Sequence, residues 1–87
     1  VADAHQRRGT GGALLRAAIA EARRTGHDEL VLATATADTG LLRFYQRHGF
    51  RLTHIEPDAF TPEAGYPDGI TIDGIALRDR AWLHLDL

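Results

Sequence analysis

At 87 residues the chain is at most one domain, and a domain this short buries only about 60–65% of the surface its unfolded form exposes. Hydrophobic residues are 44% and charged residues 25%, as in a globular domain. With no cysteine and no lysine (all ten basic residues are arginine), disulfides, thiolate metal sites, a Walker A loop and a Schiff-base lysine are excluded. The net charge of −2 argues against a general nucleic-acid binder, and no apolar run approaches the roughly 18 residues of a membrane span, so a cytoplasmic protein without nucleic-acid or membrane partners is expected.

The first element in chain order is a helix, expected from Gly11 to Thr25. Leu14, Leu15, Ala18, Ile19 and Ala22 recur at helical spacing and form an apolar stripe. Arg23 and Arg24 suit the negative end of its dipole, and Gly26 suits the position just past it. Asp28 to Thr36 reads as a strand, and its run Leu30 to Ala33 suggests cover on both faces. A second helix is expected from Asp38 to Phe50. Asp38 or Thr39 can cap it; Gly49 ends it, with Phe50 packing back. Arg51 to Ile55 alternates as a strand. Glu56 to Gly74 holds all three prolines and reads as a structured loop. Ile75 to Leu87 reads as a final strand.

The segment "HQRRGTGGALL", His5 to Leu15, carries the chemistry. The first amides of a helix lack intrahelical partners, and the dipole makes that end positive. Glycines there let a phosphate approach the backbone, because no Cβ intervenes. Arg7 and Arg8 add positive charge. The dinucleotide pattern GxGxxG fails, since Leu14 stands at its last position. What remains is Q-x-x-G-x-G at Gln6, Gly9 and Gly11. On these residues alone, a phosphate turn and a plain turn leading into a helix both stay open.

A second motif narrows this. "FYQRHGF", Phe44 to Phe50, together with "VADAHQRRGTG" upstream, resembles the paired motifs of the GNAT superfamily of N-acetyltransferases. The resemblance covers nearly the whole chain. It implies an α/β fold of partial GNAT type: a mixed sheet with two helices, the N-terminal strands absent, and residues 1–87 forming the C-terminal part of a single GNAT domain. The opening at Val1 rather than at Met fits a piece of a longer protein, with Val1 to Ala4 the tail of a preceding strand.

The resemblance further implies acetyl-CoA as co-substrate and a primary amine as acceptor. Its pyrophosphate would lie on Arg7, Arg8, Gly9, Thr10, Gly11 and Gly12, with Gln6 at the motif's first position. Tyr45 would be the general acid that protonates the departing thiolate, or else a core aromatic. Asp38 stands where relatives carry an asparagine that touches the cofactor, and here is better read as the helix cap. No metal is implied, and His5, His27, His48, His54 and His84 show no metal-ligand spacing. The resemblance puts the general base on strands ahead of the glycine motif.

The loop Glu56 to Gly74 carries Glu56, Asp58, Glu63, Asp68 and Asp73 and no basic residue. It is either an acidic rim that steers a cationic amine or a solvated loop whose Phe60 and Tyr66 tuck inward. Arg78 and Arg80 are expected in ion pairs near the last strand. Two functions compete: an N-acetyltransferase, and a non-catalytic acyl-CoA-binding or interaction module. Alone, these residues are expected to be inactive and marginally stable unless a second chain, as in a homodimer, completes the sheet.

Overall fold

The computed structural model describes residues 4–87, with side-chain surroundings from Gly11 onward. The expected strand tail at Val1 to Ala4 therefore lies outside the described residues, apart from Ala4, which is helical. Two compact units result. One runs to Leu30 and takes in Asp86–Leu87; the other is Val31–Leu85.

The first unit is built on helix α1, Ala4–Arg24. It starts seven residues ahead of the expected Gly11. No proline interrupts the segment, and Ala4, Gln6, Arg7 and Arg8 are good helix formers. Glycine costs about 1 kcal/mol per helical position without clashing, so it weakens a helix without stopping it. The far end closes as the sequence predicts. Gly26 takes φ +86°; its amide donates to Arg23 O and that of His27 to Ala22 O. These two bonds are the Schellman pattern. The covered line of α1 is narrower than the predicted stripe. Gly12, Ile19 and Ala22 are buried and Leu15 is half-buried, whereas Ala18 is exposed and Leu14 is 67% exposed.

The second unit holds helix α2 (Thr39–Arg47) and a three-stranded sheet. Its strands are β1 (Glu29–Ala35, entering this unit at Val31), β2 (Arg51–Glu56) and β5 (Arg80–Asp86), in the order β1-β5-β2. β2 runs antiparallel to β5, with a bulge between Leu52 and His54. β1 also runs against β5, since the Thr36 amide just past β1 donates to Asp79 O just before β5. Along β5 the side chains alternate between faces: Ala81 and Leu83 are fully buried, while Arg80, Trp82 and His84 face the other way, half-covered. Ala35, Ala37 and Phe50 complete this core. The expectation that Leu30 to Ala33 is covered on both faces is not met. Val31 is 55% exposed and β1 alternates between exposed and half-buried; an antiparallel edge strand needs cover on one face only.

The predicted last strand is two elements. A small hairpin pairs β3 (Thr71–Ile72) with β4 (Ile75–Ala76), and β5 begins only at Arg80. Between Ile72 and Ile75 lie Asp73 at φ +51° and Gly74 at φ +81°. Two consecutive positive φ values are the mark of the two-residue type I′ turn, for which Asp-Gly is a preferred pair. The "IDGI" signal was thus present in the sequence, inside a segment read as one loop running into one strand. One turn of 3-10 helix, Pro62–Ala64, capped by Thr61, orders the loop ahead of the hairpin.

Candidate functional site

The glycine run belongs to α1. In a helix that starts at Ala4, the ladder of amide-to-carbonyl bonds engages amides from Arg7 onward and leaves those of residues 4–6 without intrahelical partners. Of the expected phosphate-binding set, Gln6 alone thus carries an amide outside the ladder, whereas Arg7, Arg8, Gly9, Thr10, Gly11 and Gly12 lie within it. A turn that presents the glycine amides requires α1 to open as far as about Gly11. The sequence makes that opening inexpensive, because Gly9, Gly11 and Gly12 weaken the first turns.

Asp38 and Tyr45 belong to the second unit. Asp38 is the N-cap of α2: its Oδ1 accepts from the Leu41 amide at 3.1 Å. That is the role preferred for it on the sequence. Tyr45 lies on the last turn of α2, half-buried, with its ring edge-on to Phe44 at 5.3 Å and to Phe50 at 5.7 Å. Its place is set by the helix terminus. Gly49 at φ +96° lets the Phe50 amide donate to Tyr45 O and the Gly49 amide to Gln46 O, which folds the 2%-exposed Phe50 back beneath the tyrosine ring. His48 Nδ1 donates to Phe44 O at 2.9 Å, and its ring lies 4.7 Å from that of Phe44. It serves the C-terminal end of α2. Among the described residues, no group of three or more His, Cys, Asp or Glu side chains could hold a metal ion.

The loop after β2 is held more firmly than its composition suggests. Both predicted arginine pairs form: Arg78 with Asp58 at 3.8 Å, open to solvent, and Arg80 with Glu56 at 3.3 Å, partly covered. Asp79 accepts from the Asp58 amide at 2.9 Å and so has a structural task. Phe60 and Tyr66 are half-buried and meet edge-on at 4.9 Å. Reading the sequence linearly missed the joint packing of Glu56, Phe60, Arg80 and Trp82. A signal existed in the alternation His54-x-Glu56 and Arg80-x-Trp82, which antiparallel pairing brings to one face. Among the described residues, no helix is long and apolar enough to cross a membrane.

Comparison with known proteins gives these features a context. A model of the acetyltransferase (GNAT) family matches residues 1–50. An uncharacterized N-acetyltransferase of Bacillus subtilis (strain 168), YvbK, is 34% identical over all 87 residues, which correspond to 55% of its length. A crystallised GNAT family acetyltransferase from Elizabethkingia anophelis, with acetyl-CoA bound, is 37% identical at a TM-score of 0.85, the whole chain covering 56% of it. A Bacillus subtilis acetyltransferase in complex with CoA is 34% identical at a TM-score of 0.86, again with the whole chain covering 56% of it. The chain thus spans little more than half the length of the relatives it matches.

Proposed function

The chain belongs to the acetyltransferase (GNAT) family, and from that membership we propose that it forms the acetyl-CoA-binding part of an N-acetyltransferase acting on a primary amine. The observation that carries this reading is the likeness of the whole chain, at 37% identity, to an acetyltransferase crystallised with acetyl-CoA. It is supported by the two motifs, Gln6 to Gly12 and Phe44 to Phe50, standing in the order of that family.

The donor set fits a pyrophosphate. Opened from the helix, the segment Gln6, Arg7, Arg8, Gly9, Thr10, Gly11 and Gly12 offers backbone amides at a helix N-terminus, unshielded at three positions, with two guanidinium groups alongside. Asp38 keeps the start of α2 in place rather than touching the cofactor through an amide it lacks. The bound thioester supplies the activated acetyl group. Tyr45 then holds a phenolic proton for the sulfur that departs, the part of acyl transfer in which a positioned acid helps most. The amine gives up its own proton to a base outside this chain's motifs. A cytoplasmic setting is the one proposed with such a co-substrate.

The test is release of free thiol from acetyl-CoA by the whole protein, offered a panel of amines. Turnover with at least one amine supports the transferase. Acetyl-CoA binding without turnover on any amine supports the other reading, a non-catalytic acyl-CoA-binding or interaction module.

A further inference from the structure

The segment after β2 is fastened to the sheet by side chains to which acetyl transfer gives no task. Glu56 ends β2, Arg80 opens β5, and the two stand opposite each other. Glu56 Oε1 accepts from Arg80 Nη1 at 3.3 Å and from the Trp82 indole Nε1 at 3.0 Å. The Arg80 guanidinium also lies over the Phe60 ring, 5.0 Å from its centroid, and 6.0 Å from that of Trp82. Phe60 packs edge-on against Tyr66 and donates its amide to Arg78 O. His54 stacks on Trp82 from the neighbouring strand, the rings 12° from parallel.

Arginine suits this place for a physical reason. Its planar fork can donate to a carboxylate while its flat face lies on an aromatic ring; a lysine ammonium, a compact point charge, has no such flat face to stack. The side chains of Arg80 and Glu56 are 27% and 43% exposed, against 71% and 73% for Arg78 and Asp58. Solvent and salt therefore screen the inner pair less than the outer one. One guanidinium joins the sheet, through Glu56 and Trp82, to the loop, through Phe60.

We propose that Arg80 is a positioning residue that holds residues 57–66 in one arrangement before any acceptor arrives, so that the loop is set in advance rather than closing as a lid. Its effect on catalysis rests on the acetyltransferase reading, with this loop taken as the acidic rim that steers the amine; the holding itself does not.

The test uses the whole protein with Arg80→Gln, Arg80→Lys and Phe60→Leu. Trp82 is the single tryptophan of residues 1–87, so the emission that a Trp82→Phe variant loses reports on the group. A glutamyl endopeptidase, which cuts after Glu63 in the middle of this segment, reports on the loop. Arg80→Gln and Phe60→Leu should each speed cleavage there, and Arg80→Gln should red-shift Trp82 emission as the Glu56 bond loosens. Acceptor KM should rise about tenfold, on the order of the loss of one covered cation–π contact, with acetyl-CoA affinity unchanged. Arg80→Lys should restore the emission more than the resistance to cleavage. Wild-type emission and cleavage in Arg80→Gln would overturn the proposal, as would acetyl-CoA affinity falling in step with acceptor KM, which marks general unfolding. Should Arg80→Gln fail to fold, Arg80→Lys and Phe60→Leu decide. Should the wild-type protein acetylate no amine, the acetyltransferase reading fails, while emission and cleavage still decide the holding.

Discussion

Tyr45 and Phe50 form one small device at the end of α2. The glycine between them, at φ +96°, turns the chain so that Phe50 bonds back to the tyrosine carbonyl and packs beneath its ring. Phe50→Ala should cost about 3–5 kcal/mol of stability in a urea melt, the range for truncating a buried aromatic. Gly49→Ala adds a left-handed strain of about 1–2 kcal/mol and a Cβ 3.3 Å from Leu85 Cδ1, so it should also destabilise. Tyr45→Phe keeps the packing and removes only the phenol. It should leave the melting midpoint nearly unchanged and lower turnover about 100-fold or more if Tyr45 is the acid; undiminished turnover across pH would leave it a packing residue. These residues were legible in the sequence because their partners lie within five positions. The Glu56–Arg80–Trp82 group was not, because its members lie 24 and 26 positions apart and meet only through strand pairing.

At the scale of elements, the sequence marks where helices stop better than where they start. Gly26 and Gly49 end α1 and α2 as read, because a left-handed residue after a helix has a sharp local signature. The start of α1 was misplaced because glycine lowers helix stability without forbidding it. If the glycine segment opens to hold a pyrophosphate, acetyl-CoA should lower the far-ultraviolet helical signal of the whole protein; a constant or rising signal would speak against the opening. The Asp73–Gly74 turn carries a prediction of its own. Gly74→Val places a β-branched residue at φ +81° and should unpair Thr71–Ile72 from Ile75–Ala76, seen as loss of amide protection there. The α/β class, both helices and the three main strands follow from periodicity and turn residues. The hairpin was overlooked because its two-residue strands are too short to show a period.

Over the whole molecule, exposed apolar surface is the main departure from a self-sufficient domain. β1 and β2 form the two edges of the sheet. Leu14, Val31, Leu52 and Ile55 all stand well exposed, and small domains have little buried surface to offset such exposure. Residues 1–87 produced alone should therefore associate in light scattering and release no thiol from acetyl-CoA. A monomeric, cooperatively melting and active preparation would show that they suffice by themselves. The acceptor was not legible from this sequence: the resemblance puts the amine-activating base on strands ahead of the glycine motif, and the chain matches only about 56% of the crystallised relatives.

The central claim, that the segment Gln6 to Gly12 holds the pyrophosphate of acetyl-CoA, is tested most directly by calorimetric titration of acetyl-CoA into the whole protein and its Gly11→Val variant. The account predicts binding to the wild type and a loss of about tenfold or more in the variant, equivalent to at least about 1.4 kcal/mol. Equal affinity in the two proteins would contradict it.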